Sequence, residues 1–185
     1  MDIETISVAL NHHLFALEGA NVFAVLDGAS IPDLLMSLYE REPEHVCLYL
    51  GELEPDMAEV APYLVQLERD SDFTRWLLGK GWAKHWGVFA QTYSDLREMR
   101  QHLRKFLTVY SEEGQPLLFR YYDPRVLRVF LPTCTEEELT EFFGPVEAFL
   151  LEGEEPDALL RFRAEEGELR QDSIALAEDQ ALPAA

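Results

Sequence analysis

Apolar residues in this chain gather in short unbroken runs. Residues 22–26, 46–50, 63–67 and 86–89 are each of strand length, and each is apolar at nearly every position rather than every second one. A run of that kind belongs to a strand covered on both faces. Between the runs the periodicity turns helical. Ile6, Leu10, Leu14 and Leu17 form a weak amphipathic stripe closed by Gly19. Residues 31–39 read as a helix capped by Ser30, with Pro32 in its first turn. The strand–helix–strand order over residues 22–50 therefore predicts a βαβ unit with parallel pairing.

Further along, Ser71 and Asp72 open a short helix carrying Phe73, Trp76 and Leu77, broken by Gly79 and Gly81. Ser94 is expected to cap the clearest helix, which runs to about Leu107. On its wheel Leu96, Met99, Leu103, Phe106 and Leu107 share one arc, with Arg97, Gln101, Arg104 and Lys105 beside them and Arg100 at the border. A strand is expected at 117–121. Asp123-Pro124 then supplies a cap and a pre-set first helical residue. Thr135 and Glu138 make a capping box, and Gly144-Pro145 stops the helix that they open. A strand follows at 146–151. The expected class is α/β, with a mixed, partly parallel sheet flanked by helices. Residues 1–152 make the domain. Residues 153–185 form a short acidic extension, with a candidate edge strand at 158–163 and a frayed tail beyond Gly167.

Composition narrows the functional classes. The chain has 185 residues, 48% of them hydrophobic, enough for one core without staples. Its net charge is −20, which repels phosphate backbones and anionic lipid, so neither nucleic acid nor membrane is expected as a partner. The N-terminal residues lack the pattern of a secretory signal, and no apolar run reaches membrane-span length, so a soluble cytoplasmic protein is expected. Cys47 and Cys134 stand far apart and belong to no metal-ligand spacing, and the five histidines form no HExxH pattern. No cofactor, metal or catalytic residue is expected.

The charge is unevenly placed. Residues 97–128 hold seven of the 15 basic side chains and only four acids, whereas residues 135–185 hold 15 acids and three arginines. Arg97, Arg100, Arg104, Lys105, Arg125 and Arg128 are candidates for a basic face that docks an acidic partner, against the ordinary alternative of a solvated charged face. Trp76, Trp82 and Trp86 crowd with Phe73 and Phe89 in what reads mainly as core. Trp82, in a turn between Gly81 and Ala83, is a candidate anchor for a binding surface. Asp27-Gly28-Ala29-Ser30 matches no phosphate loop or nucleophile elbow and reads as a strand-to-helix turn. Two other readings stay open. One is a small hydrolase using Asp27 or Asp123 with a histidine; the other is a small-molecule sensor with a pocket near the Trp cluster.

Several motifs in order carry a resemblance. They are Phe23-Ala24-Val25-Leu26-Asp27-Gly28-Ala29, Ala61-Pro62-Tyr63-Leu64-Val65 and Gly81-Trp82-Ala83-Lys84-His85-Trp86-Gly87. After them come Leu96-Arg97, His102-Leu103-Arg104-Lys105-Phe106-Leu107, the run from Leu118 through Arg120, Tyr122, Asp123 and Arg125 to Leu127, and Phe142-Phe143-Gly144-Pro145. Residues 22–151 resemble the type VI secretion adaptors, also called effector chaperones. The resemblance implies a non-catalytic protein that binds a cognate effector and helps mount it on the VgrG spike. It also implies that Arg120, Tyr122, Asp123 and Arg125 either contact a partner or brace the fold.

Overall fold

The computed structural model describes residues 3–176. Its centre is β1 (Asn21–Asp27), whose residues from Val22 onward are all buried. On one side of β1 lies β3 (Pro62–Leu67), then β2 (His45–Cys47) at the sheet edge. On the other side the order runs β4 (Gly87–Thr92), β7 (Val146–Glu152), β8 (Ala158–Glu165) and β9 (Glu168–Ala175). Every pairing in this seven-stranded sheet is antiparallel. A separate two-stranded ribbon is made by β5 (Thr108–Tyr110) and β6 (Pro116–Leu118).

The expected mixed, partly parallel sheet is thus overturned. β1 and β2 do run in the same direction, since each is antiparallel to β3, but β3 lies between them. The crossover exists; the parallel hydrogen bonds do not. The continuous apolar runs that suggested parallel strands have another cause, because helices cover both faces of this antiparallel sheet. Val22, Ala24 and Leu26 face α1 (Ile3–Leu14), α2 (Leu34–Arg41) and α4 (Asp72–Gly81). Phe23 and Val25 face α5 (Leu96–Arg104), α6 (Pro124–Phe130) and α7 (Glu136–Phe143). A strand buried on both sides loses its alternation whatever the direction of its neighbours.

The helix caps follow short-range chemistry. Ser71 accepts from the Thr74 amide, and Thr135 with Glu138 forms the full capping box. Asp123 accepts from the Arg125 amide, with Pro124 in the first turn of α6. Two expected caps lie elsewhere. The cap of α5 is Asp95, in a capping box with Glu98, rather than Ser94. α2 opens at Leu34, and the Ser30 hydroxyl instead donates to Asp27 Oδ2 (2.6 Å). A short helix α3 (Pro55–Val60), not expected from the pattern, leads into β3.

The segment after residue 152 is sheet rather than extension. β8 pairs with β7 on one side and β9 on the other, so it is not an edge, and β9 occupies residues where fraying was expected. The expected frayed tail beyond Leu176 lies outside the described residues.

α5 and α7 meet at a buried histidine. His102 Nε2–H donates to the Phe142 carbonyl (2.8 Å), and its ring fills the space beside Gly144, where any Cβ would strike it. Gly144 also has φ +48°, a conformation costly for other residues. Burial holds the His102 pKa below its usual value, against the opposing pull of the Phe142 carbonyl. The folded state therefore binds fewer protons than the unfolded chain below about pH 6.5, and stability is lost as the pH falls through that region. Urea midpoints should drop between pH 7.5 and 5.5 in the wild type and drop less in His102→Gln. Gly144→Ala should cost about 1–3 kcal/mol at pH 7.5, from backbone strain and the displaced ring.

Candidate functional site

β1 ends in a carboxylate with almost no access to water. Asp27 Oδ1 accepts from the Ala29 amide (3.2 Å), while Oδ2 accepts from Ser30 Oγ and from the Arg120 guanidinium. An ionised group in such a place needs both a counter-charge and hydrogen bonds. Gly28 follows because the chain passes so close to Ala61 that a Cβ would collide with its carbonyl oxygen. The Gly28 amide donates to that same oxygen (3.1 Å).

Arg120 stands at the head of a buried segment. Tyr121 Oη donates to the Leu103 carbonyl (3.0 Å), and Tyr122 is buried with its ring centre 5.7 Å from that of Tyr121. Burial pushes the Tyr122 hydroxyl well above its usual range. Asp123 takes two bonds from the Arg125 guanidinium, Nε to Oδ1 (2.9 Å) and Nη2 to Oδ2 (2.7 Å). Burial raises the Asp123 pKa, but the bonds from Arg125 outweigh it and hold the carboxyl below its usual value. Arg104 closes the same end of the sheet. Its Nε donates to the Leu48 carbonyl (2.7 Å) and its Nη2 to the Tyr49 carbonyl (2.6 Å), fastening the loop after β2 to α5.

The Gly81–Gly87 motif braces a second corner. Trp82 Nε1 donates to the Pro156 carbonyl (2.7 Å), so its ring is tied to the β7–β8 turn. The amide of His85 and its Nδ1 both donate to the buried Glu152, the latter at 2.8 Å. Burial raises the Glu152 carboxyl above its usual range, against the bonds from His85. Arg128 Nη1 donates to the Gly153 carbonyl (2.9 Å) from the other side of the turn. The cavity beside the Trp cluster has a volume of about 10 Å³, room for about one water molecule.

The nine candidate residues therefore separate. Arg104, Arg120, Arg125 and Arg128 each hold a carboxylate or a backbone carbonyl of this chain, Tyr122 is buried, and Trp82 is tied to Pro156. Arg97, Arg100 and Lys105 make no ion pair among the described residues, and Arg100 Nε is buried without a hydrogen-bond partner. The carboxyl oxygens of Asp27 are engaged by Ala29, Ser30 and Arg120, and those of Asp123 by Arg125. Cys47 and Cys134 are free and half-buried, and burial raises the Cys134 thiol to about 11. Among the described residues there is no cluster able to hold a metal ion and no helix long and apolar enough to cross a membrane.

The pattern reading missed one surface. The β5–β6 ribbon stands off the main sheet with Val109, Tyr110, Leu117 and Leu118 all exposed, where 117–121 had been expected as an ordinary strand. The signal was present in Ser111 to Gln115. The Gly114 amide donates to the Ser111 carbonyl (2.8 Å), with Gly114 at φ +76°, which is hairpin-turn chemistry.

Removal of Arg120 tests the buried pair. Arg120→Ala leaves the buried Asp27 carboxyl without its guanidinium partner and should cost about 1–3 kcal/mol in urea unfolding, less than for a pair buried at both ends. Asp27→Asn should cost less, because the Arg120 side chain is 42% exposed and can turn to water.

Comparison with curated proteins and with solved structures returns no match. The profile of the family described as Domain of unknown function (DUF4123) matches residues 22–141, from the start of β1 to the last turn of α7. That span takes in the Asp27–Arg120 pair, the Gly81–Gly87 turn, the basic helix and the ribbon, and the chain belongs to this family.

Proposed function

We propose that the chain is a non-catalytic adaptor of type VI secretion, binding a cognate effector and helping to load it onto the VgrG spike. One observation carries the reading. In a chain of net charge −20, exposed Arg97 and half-buried Arg100 on α5, with exposed Lys105 just after it, have no acidic partner among the described residues. The fold uses its other clustered cations to hold carbonyls and carboxylates, and makes no such use of these three. A basic face kept open within an acidic protein suits a partner with an acidic surface, and sets its orientation and rate of association. Family membership, with the ordered motifs that resemble the secretion adaptors, supplies the kind of partner.

The alternatives find less support. Asp27 and Asp123 are occupied by structural bonds, and the space beside the Trp cluster is too small for a metabolite.

The test is co-purification of the full chain with the effector and spike proteins encoded beside it. Wild type should recover both. The triple variant Arg97→Glu, Arg100→Glu, Lys105→Glu should lose effector affinity by about tenfold or more when compared at equal folded fraction, which its urea midpoint supplies because Arg100 is half-buried. Recovery of neither partner by the wild type would sink the adaptor reading, and full recovery by the triple variant would move the contact away from α5.

A further inference from the structure

The β5–β6 ribbon is short, apolar and uncovered. Tyr110 is 72% exposed, Leu118 55%, Leu117 51% and Val109 40%, so both faces of the ribbon meet water. An isolated pair of strands is marginal in water and is steadied by a third strand or a covering element. Its root is anchored where Phe119 packs on Phe130 with ring centres 4.7 Å apart.

The hydrogen-bond register says which edge is open. The Phe119 amide donates to Leu107 O and the Ser111 amide to Gln115 O, both at 2.9 Å, and the pair between them is Val109 with Leu117. Bonded and non-bonded pairs alternate in an antiparallel ladder, so Thr108 and Tyr110 turn their N–H and C=O groups outward from β5. On the β6 side the corresponding positions are Leu118 and Pro116, and Pro116 has no N–H to offer. β9, one of the two edges of the main sheet, is defended differently. Its Arg170 and Asp172 are engaged in ion pairs with Glu168 and Arg163, and charged edges resist added strands.

We infer that the outer edge of β5 is the docking site for an extended segment of the effector, which adds there as a third strand; the inference rests on the adaptor reading. Charge gives the segment its polarity. Lys105 stands at the root of the ribbon, three residues before β5, while Glu112 and Glu113 stand at its tip. The segment that fits has apolar side chains over the ribbon, an acidic residue toward the root and a basic or neutral one toward the tip. A second copy of this chain would offer an apolar edge too, but two bodies of charge −20 repel each other.

The test uses the full chain and the effector co-expressed from the neighbouring gene, read by hydrogen exchange and by capture. The Thr108 and Tyr110 amides should exchange at least tenfold more slowly in the complex than in the free chain. Tyr110→Pro removes an outward amide and leaves the Val109–Leu117 pair, so capture should fall at least tenfold, while Tyr110→Ala, which keeps the amide, should lose less. If Tyr110→Pro proves unfolded, exchange in the wild-type complex decides alone. Capture by the wild type with no protection at Thr108 and Tyr110 overturns the strand addition and leaves the adaptor reading standing. No capture by the wild type overturns both. A dimer of the free chain in light scattering that Tyr110→Pro abolishes would assign the edge to a second copy and overturn the inference.

Discussion

A carboxylate buried at the end of the central strand constrains much of what surrounds it. Asp27 lies between β3 and the start of the β1–α2 connection, where an ionised group is tolerated only with a cation and full hydrogen bonding. The cation comes from Arg120, 93 residues further along the chain. Bringing Arg120 there sets the chain path on both sides. Before it, the ribbon is left hanging from Phe119; after it, Tyr121 and Tyr122 are drawn into the core and Asp123 arrives in place to cap α6. One ion pair thus joins the first strand to the far helical layer, and its position leaves the ribbon outside.

The arginines fall into two groups for a physical reason. A guanidinium donates in a rigid fork, which matches a carboxylate or a pair of neighbouring carbonyls. Arg104 on Leu48 and Tyr49, and Arg125 on Asp123, use that fork fully within the chain. Their clustering in sequence looks like a docking face, yet much of it is internal bracing. What remains is smaller, Arg97 and Arg100 on α5 and Lys105 just after it, and of these Lys105 leads into the exposed ribbon. In the docking proposed above, these cations would orient the partner by charge, and the open β5 edge would hold it by strand pairing and burial.

Local chemistry was legible in the sequence. The Thr135–Glu138 capping box, the Asp123-Pro124 helix start and the Ser71 cap depend on residues within four positions of one another. Strand direction was not, because residues 22–26 are apolar throughout in any sheet covered on both faces. Nor was the role of Arg104 or Arg128, since each bonds a backbone carbonyl far along the chain, and a carbonyl has no residue type to recognise. Ser30 looked like a helix cap because a serine near a helix start usually is one; the buried Asp27 beside it claimed its hydroxyl instead. β9 was hidden by its polarity, for only Leu169 and Ile174 of its side chains pack on the core clusters.

The central claim is that a locally basic face, inside a strongly acidic protein, receives an acidic partner. The sign of a rate tests it most directly. The association rate with the effector would be followed by stopped flow across ionic strength for the wild type and for Arg97→Gln, Arg100→Gln, Lys105→Gln. If the face does the steering, the wild-type rate falls as salt rises, and neutralising the three cations slows association at low salt. If the overall charge of −20 does the steering toward a basic partner, the neutralised variant, now more acidic, associates faster than the wild type. That outcome would contradict the account.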